Sequence, residues 1–381
     1  MNIAKITNYI YEKYLILFNK NFLIDFNPYN IKTKKKAILY YKYSKNFQNS
    51  KIGTTDYQSL CIAKAMNKTG YLVTVVDRKC KFKVTQVYEM FVGGFNTGGF
   101  INFEHILNQL SRKTKVIGLS TGANPKHMKE QFEKREKMFK TRNKIDLDHV
   151  SRFSTTNFEK IKKKMQFLIY FGYKKGFVEN TYVGFKNKFD LQPCISDQIK
   201  FKRNSNKVNL KNFIYYSGSG FIHKGLDWII EYFIKNPELK LHICSPNYEK
   251  KFLDFYEISK YKNIIFHGNV KEDSIKAMKL FSECSFIISM NCSGGGSAAL
   301  AVGRRYGLIP VVWKNEDCNT KACYVISKES FNEIDKMIKK ITNMNINKYL
   351  KLSKENIKIS KENTSIYYQK RLINIFKKIK S

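Results

Sequence analysis

The chain has 381 residues and a formal net charge of +38, with 69 Lys and Arg against 31 Asp and Glu. A hydrophobic content of 43% and an aromatic content of 14% exclude a disordered or fibrous protein and indicate well-filled cores. The length suits two domains of ordinary size, and no apolar run is long enough to cross a bilayer.

Residues 1–30 lack a clean signal-peptide core, so we expect a cytoplasmic protein. The eight cysteines include no CxxC pair, which favours buried free thiols over disulfides or a metal site. The lysines are spread along the chain among many Asn and Ile residues, which favours a solvated basic surface. Such a surface attracts anionic membranes or anionic substrates, and nucleic-acid binding is an alternative that the charge alone suggests.

Strands and helices alternate in the first half of the chain. An amphipathic helical segment at the start precedes predicted strands at 36–43, 71–77, 87–94 and 114–122, with helices near 56–67 and 102–111. The helix near 56–67 has Thr54 or Thr55 in place to cap it. The pattern is indistinct over 145–200. This alternation indicates a parallel sheet covered on both faces.

The alternation resumes after residue 210. Predicted strands are NFIYYSG, LKLHICS, NIIFHG, SFIIS and IPVVW, and helices span 224–235, 247–259, 273–281 and 297–306. The two blocks predict an α/β protein with two doubly wound, Rossmann-like domains facing a cleft, over 1–200 and 201–344. A charged amphipathic tail over 345–381 is predicted to be helical and is long enough to cross back to the first domain.

Three turns of small residues follow strands of the second block: SGSGFIHKG, FHGNV and NCSGGGSAAL. A small-residue turn before a helix exposes backbone N–H groups and the positive helix end, which suits a phosphate or diphosphate. Gly218, Gly220 and Gly225 lack the dinucleotide spacing, and no Walker lysine motif is present. Neither NAD nor a P-loop nucleotide therefore fits well.

The order and spacing of FIYYSGSGFIHKGLDWII, LKLHICSP, NIIFHGNV and CSFIISMNCSGGGSAALAVGRRYGLIPVV resemble the donor domain of GT-B fold glycosyltransferases, in the large retaining group that uses sugar nucleotides. In the first half, GTTDYQSLCIAKAMNKTGYLVTVVD and VIGLSTGANPKHMKEQFEKREKMFKTRN resemble bacterial surface-polysaccharide members. The resemblance implies a GT-B fold and transfer of a sugar from a nucleoside diphosphate sugar. The implied acceptor is a glycan or lipid-linked molecule of cell-surface polysaccharide synthesis, reached at the inner membrane face. It implies no cofactor, no obligatory metal and no nucleic-acid partner.

By this resemblance, Lys224 neutralises the donor diphosphate, and His223 beside it bonds phosphate or caps the turn. Ser219 stands where the family often has an arginine. The other implied donor-site residues are Gly53, Thr54, Gly218, Gly268, Asn269, Ser293, Gly294, Gly295, Gly296 and Ser297. Asn124 and His127 are the catalytic candidates; His127 is either a general base or a ligand of the donor sugar, with a solvated surface histidine as the alternative.

The sequence departs from the family in two carboxylates. Members commonly carry two glutamates across the third turn and its helix, at the positions of Gly294 and Val302 here. A degenerate, non-catalytic binding or scaffold protein is therefore an alternative function, and restoring glutamate at both positions would discriminate it from an enzyme. Glu316 and Asp317 follow the IPVVW strand; a place in the cleft is one interpretation, and solvated loop carboxylates are the commoner one.

Overall fold

The computed structural model describes residues 21–96, 100–147, 150, 157–205, 208–295 and 297–380. The amphipathic helical segment predicted at the start of the chain falls before residue 21 and so lies outside the described residues. The described residues form two sheets, each packed between helices. The sheets belong to successive halves of the chain, so the predicted α/β architecture with two doubly wound domains is confirmed.

The first sheet has the strand order β1-β3-β2-β4-β5-β6-β7. All neighbouring pairs are parallel except β1 with β3, which is antiparallel. The central strands are buried along almost their whole length, because helices cover both faces. Its strands are β1 (Phe22–Phe26), β2 (Lys36–Tyr41), β3 (Leu72–Asp77), β4 (Met90–Gly94), β5 (Lys115–Ser120), β6 (Phe167–Phe171) and β7 (Lys188–Leu191).

The second sheet is parallel throughout, with the order β10-β9-β8-β11-β12-β13. This is the strand order of a Rossmann domain, in which ligands bind at the carboxyl ends of the strands where the order reverses. Its strands are β8 (Asn212–Tyr216), β9 (Lys240–Cys244), β10 (Ile264–Gly268), β11 (Phe286–Ser289), β12 (Ile309–Trp313) and β13 (Tyr324–Ile326).

The helices mostly begin at the small polar residues that the sequence places there. Thr54 caps the first helix by accepting the Tyr57 N–H at 3.2 Å, and Ser297 caps the ninth by accepting the Leu300 N–H at 3.3 Å. The α-helices are α1 (Thr55–Lys68), α2 (Phe103–Leu107), α3 (Pro125–Asn143), α4 (Phe158–Lys162), α5 (Phe177–Thr181), α6 (Leu226–Lys235), α7 (Lys250–Phe255), α8 (Ile275–Glu283), α9 (Ala298–Arg305), α10 (Phe331–Thr342), α11 (Ile346–Ile359) and α12 (Ser365–Lys380).

Two helices pack on the sheet that their own half of the chain does not contain. From α3, Phe139 joins the core of the second sheet, and Arg142 pairs with Asp227 at 2.5 Å and with Glu231 at 3.1 Å. From α12, Leu372 and Phe376 are buried in the core of the first sheet. Each domain is therefore completed by a helix from the other half of the chain.

The chain passes between the domains in two adjacent segments. The Ile195 N–H donates to the Asn363 carbonyl at 3.0 Å, and the Asn363 amide donates to the Pro193 carbonyl at 2.9 Å. The Asp197 carboxylate accepts hydrogen bonds from the backbone and hydroxyl of Ser365. The outgoing and returning segments are thus tied to each other.

Four strands were not predicted from the sequence. β6 and β7 fall within 145–200, where lysine clusters flank short apolar runs, and β1 and β13 are edge strands. Each has five residues or fewer, so period-two alternation had little length in which to appear. Within the described ranges, no helix combines the length and the apolar composition needed to span a membrane.

Candidate functional site

A cavity of about 500 Å³ lies between the two domains. Its lining residues come from segments that follow the carboxyl ends of strands in both sheets, including Gly53 after β2, Thr121 after β5, Ser217 after β8 and Glu316 after β12. Doubly wound sheets bind ligands at this edge. We call this space the donor cavity, after the role that the sequence resemblance implies for it.

Most of the residues expected at the donor site line this cavity. They are contributed by four segments that are distant in sequence, so the fold alone brings them together. The lining residues that the sequence predicted are Gly53, Gly218, His223, Lys224, Asn269, Gly294, Gly295 and Ser297. Gly296 lies outside the described residues.

Four other predicted donor-site residues do not line the cavity. Thr54 caps α1, and its neighbour Thr55 lines the cavity instead. Ser293 is fully buried, with its hydroxyl 2.8 Å from His223 Nε2, so it contacts a lining residue from behind. Ser219 and Gly268 are adjacent to lining residues.

The two catalytic candidates lie outside the donor cavity. The Asn124 side chain caps α3 by accepting the Lys126 N–H at 3.0 Å, and its backbone N–H donates to Thr181. His127, on the first turn of α3, lines a different cavity and packs its ring against Phe177, with centroids 5.3 Å apart. The geometry therefore does not place either side chain among the donor-cavity residues.

The turn after β8 binds one of the protein's own carboxylates. The N–H groups of Gly220 and Phe221 donate to Glu249 at 2.5 and 3.1 Å, and the Glu249 side chain is buried. These two donors are satisfied, so they are not part of an open phosphate cradle. Gly218 and Lys224 remain on the cavity side of the same turn.

Lys224 and Glu316 place opposite charges in the donor cavity. Lys224 Nζ donates to Ser217 Oγ at 2.6 Å, and Ser289 Oγ donates to Glu316 Oε2 at 2.7 Å. Burial raises the pKa of Glu316 to about 7, while the Ser289 hydrogen bond and the positive charge of Lys224 act in the opposite direction. A buried carboxylate with a pKa near neutrality beside a lysine is typical of a functional site.

The interpretation of Glu316 and Asp317 as solvated loop carboxylates is wrong. Both are buried, with exposed fractions of 6% and 1%. Asp317 accepts the N–H groups of Val178 at 2.8 Å and Tyr173 at 3.2 Å, so it joins the second domain to the first. Burial raises the pKa of Asp317 to about 6, and the two backbone hydrogen bonds oppose that rise.

Another carboxylate, Glu272, lines the donor cavity and contacts the segment that joins the two domains. Glu272 accepts the Ser196 N–H at 2.6 Å, and burial raises the pKa of Glu272 to about 7. Gly53, at a φ of +87°, faces it so closely that a Cβ there would overlap Glu272 Oε1. Gly53 is therefore required both by its backbone conformation and by the carboxylate against it.

Two polar residues of the first domain also line the donor cavity without having been predicted. Asn96 is fully buried, and its side-chain oxygen accepts the Thr121 N–H at 2.9 Å and the Thr121 hydroxyl at 3.2 Å. Asn96 follows β4 and Thr121 follows β5, so a comparison of strand ends could have found them.

The positions of the two missing glutamates cannot accept carboxylates as the chain is folded. At Gly294, where φ is +68°, a Cβ would lie 2.5 Å from Phe177 and 2.8 Å from the Asn315 carbonyl. Val302 is fully buried in an apolar cluster with Leu300 and Leu308. Restoring glutamate there is therefore not a usable test of catalytic decay, which corrects the expectation from the sequence.

Metal ligands were sought over the same ranges. Across the part of the chain that the structure describes, no group of three or more His, Cys, Asp or Glu side chains is arranged to hold a metal ion. The side chains that line the donor cavity include one histidine, one lysine and two carboxylates among hydroxyls, amides and apolar groups.

Two Rossmann-like domains with their strand ends facing a shared cavity define the GT-B fold, and comparison with solved structures confirms it. Sucrose-phosphate synthase from Thermosynechococcus elongatus matches with a TM-score of 0.61 at 8% identity, covering 91% of this chain and 99% of that one. Anabaena HepE, solved with UDP and glucose, matches with a TM-score of 0.54 at 9% identity, covering 91% and 98%. TarM matches with a TM-score of 0.50 at 13% identity.

The match to TarM covers 84% of this chain and 58% of TarM, so this chain corresponds to little more than half of that protein. No protein-family model and no curated protein sequence matches the chain. At identities of 8 to 13%, the solved structures establish the GT-B fold.

Proposed function

We propose that this protein is a glycosyltransferase that uses a nucleoside diphosphate sugar as donor. The observation that carries the proposal is Lys224, which lies in a cavity at the strand ends of a GT-B fold beside glycine-rich turns. A cation and backbone N–H groups there would stabilise the negative charge of a departing diphosphate. HepE, which was solved with UDP and glucose, shares this fold, and so does sucrose-phosphate synthase.

In the proposed reaction, the acceptor hydroxyl oxygen forms a bond to the anomeric carbon of the donor. The bond from that carbon to the diphosphate breaks, and the diphosphate leaves with the electron pair and takes up the hydroxyl proton. Lys224 would lower the energy of the leaving group, and Gly218, Gly294 and Gly295 would allow the donor to approach the backbone closely.

Glu316 is proposed to hold hydroxyl groups of the donor sugar or ribose. Its Oε2 is fixed by Ser289, and it lines the same cavity as Lys224. A carboxyl group can accept a hydrogen bond from a sugar hydroxyl whether or not it carries a proton. Glu316 would thus supply, from a different strand end, a carboxylate that the positions of Gly294 and Val302 lack.

The finer parts of the proposal follow the resemblance of the sequence. They are a glycan or lipid-linked acceptor of surface-polysaccharide synthesis, retention at the anomeric carbon, independence of metal, and action at the cytoplasmic membrane face. The net charge of +38 supports an anionic surface or substrate as partner. Sedimentation with anionic and neutral vesicles at low and high salt tests the membrane part.

Calorimetric titration of the protein with UDP, GDP, CDP and ADP tests the donor site. We expect one of them to bind, and Lys224→Ala to weaken that binding about 30-fold, since a charge-assisted hydrogen bond is worth about 2 kcal/mol. Lys351→Ala, which removes the charge of an exposed lysine on α11, is the matched control. If no nucleotide binds, or both variants have equal effects, the donor-site proposal is wrong and the non-catalytic alternative gains support.

A further inference from the structure

A second cavity, of about 390 Å³, lies beside the donor cavity. Helix α3 and the segments that follow β12 and β13 form it, with His127, Gln131, Lys134, Lys314, Asn315 and Lys328 among its lining residues. None of these residues belongs to the donor cavity. We call it the lysine cavity.

The charge of the lysine cavity is positive. Its one carboxylate, Glu329, pairs with Lys134 at 2.9 Å and lies 3.7 Å from Arg135, so two cations already neutralise it. Lys314 and Lys328 are exposed, and neither has an ion-pair partner among the described residues. Two lysine charges on one cavity, both available to a ligand, favour an anionic group.

The remaining polar groups of the lysine cavity suit hydroxyl groups. Gln131 and Asn315 are amides, and the Asn315 Nδ2 group donates to the Cys292 carbonyl at 3.0 Å and to Gln131 Oε1 at 3.5 Å. The Gln131 NH2 group and the Asn315 side-chain oxygen are the amide groups offered to a ligand. Burial lowers the pKa of His127, so its ring is neutral near pH 7 and has both a donor and an acceptor nitrogen. His127 Nε2 is buried and has no hydrogen-bond partner among the described residues. This combination of cations and neutral amphoteric groups is suited to a saccharide that carries negative charge.

Only a thin wall separates the lysine cavity from the donor cavity. Gly294 lines the donor cavity, and a Cβ on it would lie 2.8 Å from the carbonyl oxygen of Asn315, which lines the lysine cavity. On α3, Met128 lines the donor cavity while its neighbour His127 lines the other. The two cavities are therefore adjacent, at a separation that a saccharide of a few units can span.

We propose that the lysine cavity binds a phosphate, sulfate or carboxylate group of an anionic saccharide acceptor, with Lys314 and Lys328 as its counter-charges. This inference rests on the glycosyl transfer proposed above and narrows it by assigning a negative charge to the acceptor. It also offers a role for the net charge of +38, because a positive surface attracts an anionic saccharide toward the lysine cavity.

Binding of a sulfated glycosaminoglycan tetrasaccharide to the full chain tests the proposal. It is compared with neutral maltotetraose and with tetrathymidylate, each in the presence of a saturating concentration of the nucleoside diphosphate that binds best, or without nucleotide if none binds. We expect the sulfated probe to bind and maltotetraose to bind at least tenfold more weakly. Lys314→Gln/Lys328→Gln should weaken binding of the sulfated probe at least tenfold, while leaving nucleotide affinity unchanged.

Lys351→Gln/Lys354→Gln, which removes the same charge from exposed positions of α11, is the control and should change probe affinity less than twofold. Equal losses in the two double variants would overturn the site, because net charge alone would then explain binding. Tetrathymidylate that binds as tightly as the sulfated probe and loses affinity equally in Lys314→Gln/Lys328→Gln would overturn the saccharide assignment. Nucleotide binding is measured separately, so its absence contradicts the donor proposal without deciding this one.

Discussion

The pKa of Glu316 makes the affinity of the donor cavity for a diphosphate depend on pH. Because burial raises that pKa to about 7, the carboxyl is about 10% ionised at pH 6 and about 90% ionised at pH 8. An ionised Glu316 repels the diphosphate and competes with it for Lys224, whereas the protonated form does neither. The Glu316 contribution therefore favours binding at the lower pH.

The size of the effect follows from linkage. If the bound diphosphate raises the pKa of Glu316 by about one further unit, worth about 1.4 kcal/mol, the affinity falls about fivefold between pH 6 and pH 8. The terminal phosphate of the ligand, with a pKa of about 6, also titrates in this range and acts in the opposite direction. Glu316→Gln retains the titrations of the ligand and of Glu272 and removes only that of Glu316, so the ratio of the two affinities isolates Glu316.

Calorimetric titrations of wild type and Glu316→Gln at pH 6, 7 and 8 provide the measurement. We expect the ratio of the wild-type affinity to the variant affinity to fall about fivefold from pH 6 to pH 8. A constant ratio would refute the placement of a titrating carboxylate beside the bound anion.

A stability measurement gives a second check. Because the pKa of Glu316 is raised from 4.5 to about 7 by folding, its favourable contribution to the free energy of unfolding is complete below pH 4.5 and is lost as the pH rises to about 7. At pH 8 the wild type keeps a buried charge that Glu316→Gln lacks, so the variant should be the more stable protein.

Three further predictions concern the positions around the donor cavity. Gly268 has a φ of +70° and open space around it, so Gly268→Ala should lower the free energy of unfolding, measured in urea, by about 1 kcal/mol. Gly53→Ala should lower it clearly more, because its Cβ meets Glu272 as well, and equal losses in the two variants would contradict that contact. Val302→Glu places an unpaired carboxylate in an apolar core and should abolish cooperative unfolding, so a folded variant that binds nucleotide would show that this position can reach the cavity. Asp317→Asn loses one of the two hydrogen bonds that Asp317 accepts from the first domain, so the free energy of unfolding should fall by about 1 to 2 kcal/mol in the same assay. An unchanged unfolding midpoint would show that Asp317 does not stabilise the domain contact.

The elements that could be predicted are those with long apolar runs and clear turn residues. β2, β3 and β5, rich in Val, Ile, Leu and Tyr, lie where the sequence indicates, and Thr54 caps α1 as the Thr-Thr-Asp stretch suggests. β6 was not predicted, because an apolar run of five residues between lysine clusters is too short to distinguish a buried strand from part of a buried helix.

The donor cavity was predictable where small residues mark strand ends, as at Gly218 and Gly294. The sequence left Glu316 open between a place in the cleft and a solvated loop, and it gave no sign of the buried Glu249, because the roles of both depend on burial and on partners far away in sequence. Ser289 is 27 residues from Glu316, and Gly220 is 29 residues from Glu249. No local pattern indicates that a loop carboxylate will be enclosed, since the enclosing elements come from other parts of the chain.

The exchange of α3 and α12 between the domains limits how the two halves of the protein can move. The segments at Ile195 and Asn363 are hydrogen-bonded side by side, so they share a line about which one domain can turn without stretching either segment. Sliding along that line would instead break their mutual hydrogen bonds. Helix α3 starts at Asn124 on one domain and is held by Arg142 on the other, so it spans the gap as a third connection. The relative motion is thereby restricted toward a rotation, and the angle of that rotation sets the width of the donor cavity between the domains.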